Sequence, residues 1–449
     1  MPRPEVIMRM RSGALALYAL TTFVPAAAQE WDLPATAAKW VSAESGEKLK
    51  LTVESRFRYE TRTGQSFGKD PDLSLALVRH RFGATYKPVS WLKLSGMVQD
   101  SRAPFYGPNA PNTLRDSADL HEAYFELFPD RKKGFGFSGG RMMLNYGEGR
   151  LLGTPQWSNL ARTYDQARAY WRSPRMQLEM LFASPVKIRS DEFNRPVLGD
   201  RVWGMYNVLP NVAGKQSLEF YILRHDQNRA AGFTGGNTLL GTDRLGVNTF
   251  GGRFFGPLAH NLKYSLEGAL QNGRVGPATH RAAAWFSSLT RRWTVAGRPF
   301  DLSGEYKFAS GTNNPQDASR VTTFDQLYPA NHDKFGHEDL FGWRNIHNAR
   351  ALATLGWTKN FSVNLMYNNL WLASARDSLY SGAGKSIARS AGGTAGRHVG
   401  QETDVFAAYK WKRFTLGAGY GHLFAGEFLR KATTGVGPNY AYLFHTYSF

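Results

Sequence analysis

The sequence predicts an all-β fold, a transmembrane antiparallel β-barrel of about 18 strands with short turns at one end and long loops at the other. Three observations predict it. Apolar and polar residues alternate with a period of two in segment after segment. The segments are close to the roughly 9–11 residues that cross a bilayer when tilted, and their connections alternate short and long. Composition agrees: aromatics make up 14% of the 449 residues and glycines number 46, while charged residues are only 20%. That balance suits strands, tight turns and interfacial aromatic girdles. The mean hydropathy of −0.41 is compatible with a membrane location, because lipid-facing and lumen-facing residues cancel in the average of a barrel strand.

Residues 1–28 read as a Sec-type signal peptide. Arg3, Arg9 and Arg11 form a positive n-region, Gly13 to Val24 a short apolar h-region, and Ala26-Ala27-Ala28 a cleavage site before Gln29. The alternative, an anchoring N-terminal helix, needs a longer run, since about a dozen apolar residues do not span a bilayer. No later segment approaches the ~18 consecutive apolar residues of a transmembrane helix. Residues 29–48 are then a periplasmic N-terminal segment and 49–449 the barrel. The absence of cysteine excludes a disulfide scaffold, thiolate nucleophiles and thiolate metal sites.

The first strand sets the pattern. Leu49, Leu51, Val53, Ser55, Phe57 and Tyr59 share one face, while Lys50, Thr52, Glu54, Arg56, Arg58 and Glu60 share the other. Leu262 to Gln271 and Phe414 to Gly421 repeat the dyad. By the same reading, strands fall near 49–60, 74–87, 90–101, 118–128, 135–145, 163–173, 175–184, 199–209 and 216–226. The second half adds 246–256, 259–271, 280–292, 299–309, 347–358, 360–373, 402–411, 413–424 and 439–449. A large soluble β-sandwich also alternates, but leaves the loop pattern unexplained.

Turn residues mark the short connections: Lys87-Pro88-Val89-Ser90, Ser173-Pro174, Gly256-Pro257, Thr358-Lys359-Asn360 and Lys410-Trp411-Lys412. Between them lie long connections at 61–73, 102–117, 146–162, 185–198, 227–245, 272–279, 310–346, 374–401 and 425–438. Short periplasmic turns opposite long outer loops are the rule for bacterial outer-membrane barrels. Loops 310–346 and 374–401 are long enough to act as lids or constrictions, although Gly/Ser/Ala-rich 381–396 also fits a disordered tip. Leu443, Tyr447 and the terminal Phe449 share one parity, a last strand suited to recognition by the barrel assembly machinery.

A net charge of +19 implies an anionic partner, and an exported chain makes nucleic acid the least suitable one. A lipid-facing arginine at mid-bilayer costs roughly 2–4 kcal/mol, so strand cations are expected to face the lumen. The pore-lining set is Arg56, Arg58, Arg79, Arg81, Lys93, Arg141, Arg253 and Lys307; Arg168, Arg172, Arg201 and Arg350 have a less clear parity. Glu54, Glu122, Glu126, Glu267, Glu305 and Asp404 are expected to share the lumen and pair with them. Arginine grips carboxylate bidentately, and neighbouring acids keep each grip weak enough to release.

No enzyme or cofactor signature accompanies these features. His121-Glu122 lacks the second histidine of HExxH, and Gly147 to Gly153 lacks the Lys-Ser/Thr of a P-loop. G-x-S-x-G is absent. Asp317, Asp325, His332, Asp333, His337, Glu338 and Asp339 in loop 310–346 are calcium- or metal-compatible residue types, but their spacing matches no such motif. Asp339 and Asn345 suit pinning the loop's return to the next strand.

Two stretches carry a family likeness. One holds Gly140-Arg141, Leu144-Asn145-Tyr146-Gly147-Glu148-Gly149-Arg150-Leu151-Leu152-Gly153, Trp157, Asn159 and Arg162-Thr163-Tyr164-Asp165. The other runs from Tyr306 through Ala309-Ser310-Gly311, Thr323-Phe324-Asp325, Tyr328-Pro329, His332, Gly336, Asp339 and Asn345, with a weaker echo at Gly400-Gln401-Glu402-Thr403-Asp404 and Gly419-Tyr420-Gly421. Together they resemble the alginate-export family of outer-membrane porins. The resemblance implies an 18-stranded barrel whose arginine- and lysine-rich pore passes a polyuronate outward, with Arg150, Asp165, His332, Asp339 and Asn345 among the family's loop residues. The expected function is passive export of an anionic exopolysaccharide through the outer membrane of a Gram-negative cell, with periplasmic export partners possible. Uptake of small anions or oligosaccharides is the alternative.

Overall fold

A computed structural model describes residues 33–106, 113–190, 192–228 and 244–449; the expected signal peptide, residues 1–28, lies outside them. A helix, α1 (Leu33–Glu44), comes first in the chain. The barrel strands follow: β1 (Leu49–Thr63), β2 (Leu73–Val89), β3 (Leu92–Arg102), β4 (Asp116–Leu127), β5 (Gly134–Met142) and β6 (Tyr164–Ser173). Next come β7 (Met176–Lys187), β8 (Asp200–Ala213), β9 (Gln216–Asn228), β10 (Arg244–Pro257), β11 (Leu262–Val275) and β12 (Ala278–Val295). The last six are β13 (Arg298–Ala309), β14 (Ile346–Gly356), β15 (Phe361–Leu372), β16 (His398–Trp411), β17 (Phe414–Ala425) and β18 (Asn439–Ser448).

Each strand pairs antiparallel with its neighbours in sequence, and β18 returns to β1, with Glu54 opposite Ser448 and Thr63 opposite Asn439. Val53 and Phe449 exchange backbone hydrogen bonds at 3.1 and 3.2 Å, extending that seam to the last residue. The result is a closed 18-stranded sheet without edges, as hydrocarbon requires of any β structure that spans it. No helix among the described residues is long and apolar enough to cross a membrane.

Side-chain parity follows the alternation. Leu270 is 65% exposed while its neighbours Ala269 and Gln271 are buried. Phe82, Met180, Phe182, Ile222, Leu365 and Leu443 are exposed in the same way. A band of this size facing water is an aggregation liability; facing lipid it is the driving force for insertion. Aromatic pairs ring the short-turn end, among them Trp91–Phe128, Trp293–Phe300, Trp411–Phe414 and Tyr447–Phe449. Inside, Tyr170, Tyr221 and Tyr442 lie where a Cβ on Gly136, Gly251 and Gly419 of the next strand would stand. A large ring laid over a cross-strand glycine shields backbone and fixes register.

The connections at 90–91, 128–133, 174–175, 214–215, 258–261, 296–297, 357–360 and 412–413 are short, and all lie at one end. Long connections lie at the other, with one correction. The expected loop at 272–279 is a tight turn, because Val275 and Ala278 are a paired couple separated only by Gly276, at φ 56°, and Pro277. Residues 381–396 are ordered around a small antiparallel ladder, Leu379–Tyr380 with Ser386–Ala388.

Replacing mid-strand Leu365 by Arg puts a charge on the lipid face and should cost about 2–4 kcal/mol of folding free energy in bilayers, read from urea unfolding. A loss under about 1 kcal/mol would place this residue outside the hydrocarbon.

Candidate functional site

The lumen is occupied at its long-loop half by two connections that fold inward, 143–163 and 310–345. Leu144, Leu151 and Leu152 of the first pack with Phe324, Leu327, Tyr328, Phe335 and Phe341 of the second in one buried apolar cluster, which also takes in inward wall residues such as Tyr164, Leu181, Tyr221 and Phe286. The two connections are also joined through backbone. Leu152 bridges Tyr328, Tyr328 N donates to Leu151 O at 2.8 Å, and Ala330 N donates to Gly149 O at 2.9 Å.

Strand arginines hold the first loop down. Arg56 donates to the carbonyls of Gln156 and Ser158, both at 3.0 Å. Arg79 reaches the same two carbonyls at 3.0 and 2.8 Å while its Nε binds Glu54 at 2.8 Å. Arg58 donates to Trp157 O and lies 4.1 Å over the Trp157 ring. Arg81 binds Gln99 at 2.7 Å and the Gln156 side chain at 2.8 Å. These guanidiniums are almost fully buried. A buried cation without such partners would be prohibitively costly, so the loop carbonyls and the arginines require each other.

At mid-barrel the loop inserts its own charges. Arg150 pairs with Glu148 at 2.5 Å, approaches Glu267 at 3.7 Å and lies 3.2 Å over the Phe286 ring. Glu148 reaches Arg253 at 3.0 Å, and Arg253 is held bidentately by Glu219, both contacts at 2.8 Å. Beside this network Tyr146, Tyr206 and Tyr221 form a stack with ring centroids 4.4 and 5.4 Å apart. Each hydroxyl donates to a different acid: Tyr146 to Glu179, Tyr206 to Glu219 at 2.6 Å, and Tyr221 to Glu267 at 3.0 Å.

The second loop is stapled by His225, which contacts Asp325 at 2.6 Å, Asp200 at 3.3 Å and Tyr328 at 3.1 Å; Tyr328 also donates to Asp200. Gln271 binds both the N–H and the carbonyl of Asp325, at 2.8 and 2.7 Å. Asn345 ties the loop's return to the next long connection through Ser374 and Ser378 carbonyls, at 3.0 and 2.9 Å. His332 Nδ1 lies 2.7 Å from an Asp339 carboxylate oxygen, and its ring stacks 4.5 Å from Trp157 of the first loop. Among the described residues no group of three or more His, Asp or Glu has metal-binding geometry.

Three acids meet beneath the second loop. Glu338 N donates to Glu402 at 3.2 Å and His337 N to Asp404 at 3.4 Å. Burial, with the neighbouring Asp404 charge, raises the Glu338 carboxyl above the usual carboxylate range, opposed by Arg62. His337 is pushed down to about 3 by burial and by His332, so it stays neutral.

Most expected lumen residues do face inward. Lys93 binds Glu126 at 2.5 Å, and Lys307 binds Glu305 at 2.9 Å and Asn348 at 3.0 Å. Glu122 accepts from Met143 N at 3.1 Å, and Arg168, Arg172 and Arg350 share the inward parity. Arg141 is the correction. It shares parity with outward Phe135 and Phe137, and pairs bidentately with outward Asp165 at 2.7 and 3.1 Å. Both residues lie at the long-loop rim, where a charge on the lipid face costs only about 0–1 kcal/mol; the argument from mid-bilayer cost does not apply there. Arg201 is likewise outward, beside Asp226 at 4.0 Å. The sequence reading missed His225, Asp200, Glu179, Glu219 and the tyrosine stack. Inward parity on β7, β8 and β9 carries that signal for all of them except Tyr146, which lies in the connection 143–163.

Replacing Arg56 and Arg79 by Ala removes four bonds to the loop carbonyls and should speed tryptic cleavage within 143–163 at least about tenfold, since each charge-assisted bond is worth more than a neutral one; unchanged cleavage would show that the arginines do not hold the loop. For the second loop the sign follows from the raised Glu338 carboxyl: the seated loop keeps a proton that the released loop gives up. The released loop also frees His337, which gains a proton below about pH 6.5 only when it leaves its buried seat, so seating weakens on acidification through that range; above it the Glu338 effect acts alone and seating weakens as pH rises. Hydrogen exchange in 310–345, corrected for intrinsic rate, should increase from about pH 7 to about pH 9, and Glu338→Gln should flatten that rise.

A family model described as Alginate export matches residues 47–442. Comparison with curated proteins finds no match. Among solved structures, OpdK of Pseudomonas aeruginosa with vanillate is 10% identical, with 90% of this chain and 99% of that chain covered and a TM-score of 0.58. OccK2 (OpdF) of Pseudomonas aeruginosa in complex with glucuronate is 12% identical, with 90% and 96% covered and a TM-score of 0.58. A BenF-like porin from Pseudomonas fluorescens Pf-5 is 9% identical, with 90% and 99% covered and a TM-score of 0.59. At these identities the likeness is one of fold, that of outer-membrane porins. With the family match extending over nearly the whole barrel, the chain belongs to the alginate-export family and is an outer-membrane porin.

Proposed function

We propose that this porin passes an anionic exopolysaccharide of the alginate-like polyuronate class out of the cell, passively and through a lumen gated by loops 143–163 and 310–345. The observation that carries the reading is the family match over residues 47–442, and the chemistry of the lumen supports it. Lys93, Arg168 and Arg172 stand partly exposed on the inward face, each beside a carboxylate. A guanidinium already shared with one acid binds an incoming carboxylate weakly enough to pass it on. The Arg150–Glu148–Arg253–Glu219 network offers the same exchange at mid-barrel. Energy comes from polymer synthesis or a gradient. In this reading residues 1–28 direct Sec export and are removed, 29–48 remain in the periplasm, and the barrel assembly machinery inserts 49–449.

Uptake of small carboxylated solutes is the second reading. The specific observation in its favour is that OpdK and OccK2 were crystallised with vanillate and glucuronate, both small carboxylates.

Single-channel recording in planar bilayers tests the proposal. Anion-over-cation selectivity is expected in a salt gradient, with block by oligouronates and none by neutral glucans of equal length. Alanine at Lys93, Arg168 and Arg172 together should move the reversal potential toward cations, because fewer fixed cations lower the local anion concentration. Equal block by neutral and acidic chains would overturn the polyuronate reading. Block by monomeric uronates alone would favour uptake.

A further inference from the structure

The deep cations of the lumen are held by carboxylates or loop carbonyls, and a separate group of cations lies outside that network. Much of this group lies at the short-turn end. Every one of the eight short connections has a Lys or Arg within three residues, whereas Glu126 and Asp130 are the only acids within the same distance of them. The distribution has two layers. Arg291 over Trp293, at 5.0 Å, and Arg298 over Trp357, at 4.0 Å, stand on the outward parity beside interfacial tryptophans. Lys87, Lys93, Arg172, Lys263, Arg292 and Lys410 stand instead on the inward parity, in register with Arg81, Gln99, Arg168, Glu267, Phe286 and Asp404. They rim the opening of the barrel, where lipid does not reach.

Asp130 faces Lys87 at 2.9 Å, Glu126 faces Lys93 at 2.5 Å and Asp301 faces Arg292 at 2.6 Å. Lys263 and Lys410 are exposed and make no ion pair within 4 Å among the described residues, although Lys263 lies in the field of Asp301. In outer-membrane barrels the short-turn end is periplasmic. Resting on the polyuronate reading above, we propose that this mouth is a cationic collar that captures a carboxylated polysaccharide from the periplasmic side and feeds it into the lumen. A charged opening with low-dielectric walls focuses potential and raises the encounter rate of opposite charge. A polymer carrying a carboxylate on each sugar engages several collar cations at once, which converts weak single contacts into capture without a tight site. The collar thereby gives a passive pore a preferred loading face.

The test uses the full-length porin inserted in one orientation in a planar bilayer, with an oligouronate added to one side at a time. Block from the short-turn side should have an on-rate about tenfold above that from the long-loop side at low salt, and the difference should shrink as salt rises. The double variant Lys263→Glu, Lys410→Glu should abolish that difference while leaving block from the long-loop side unchanged. Equal on-rates from the two faces, or a preference that survives the double variant, would overturn the collar and leave the polyuronate reading standing. Absence of oligouronate block from both faces would overturn that reading, and the collar with it. If the variant loses retention in vesicles containing anionic phospholipid while its sided block is unchanged, these cations serve the membrane surface and the collar is likewise overturned.

Discussion

Hydrocarbon offers no hydrogen-bond partner, so a chain that crosses it as strands must pair every backbone N–H and C=O with another strand. The pairing of β18 with β1 meets that demand, and the exchange between Val53 and Phe449 carries it to the seam's lower edge. Closure fixes two faces for every strand, and the faces decide everything else. Exposed Leu270, Met180 and Phe182 anchor the wall in lipid, while the opposite parity delivers a crowd of charged and aromatic groups into a confined interior.

Such an interior poses its own problem. Many ionised groups with little water are tolerated only when each finds a partner, and the wall alone does not provide enough of them. Loop 143–163 contributes the missing acceptors as backbone carbonyls and the missing counter-charges as Glu148 and Arg150. Loop 310–345 does the same through Asp325 and Tyr328. The lumen is thus assembled from wall and loops jointly, and its charges are matched in pairs rather than displayed as a row of free cations.

Much of the wall was legible in the sequence, because a two-residue period is a local property. All eighteen strands fall where alternation and turn residues place them. What alternation does not encode is height within the membrane. Arg141 carries the same residue type as Arg79 but sits at the rim, paired with Asp165, and only the strand ends reveal that. The tight Gly276-Pro277 turn was hidden because β11 and β12 continue past the expected strand ends. The inward course of the two loops rests on contacts between residues far apart in the chain, 79 positions for Arg79 with Ser158 and 100 for His225 with Asp325. Such pairings leave no periodic trace in one sequence. The motif Tyr328-Pro329 followed by His332 marks the second loop, yet its partner, Leu152, could not be read from either stretch alone.

That backbone bridge between Leu152 and Tyr328 makes the two inward segments mechanically one part. Withdrawing either of them breaks ladder bonds, uncovers a shared greasy interface and strands the other's anchors, so partial retreat is the expensive option. In the loop-gated export proposed above, a passage obstructed in this way clears cooperatively, as a bolt made of two interlocked bars is drawn only when both slide.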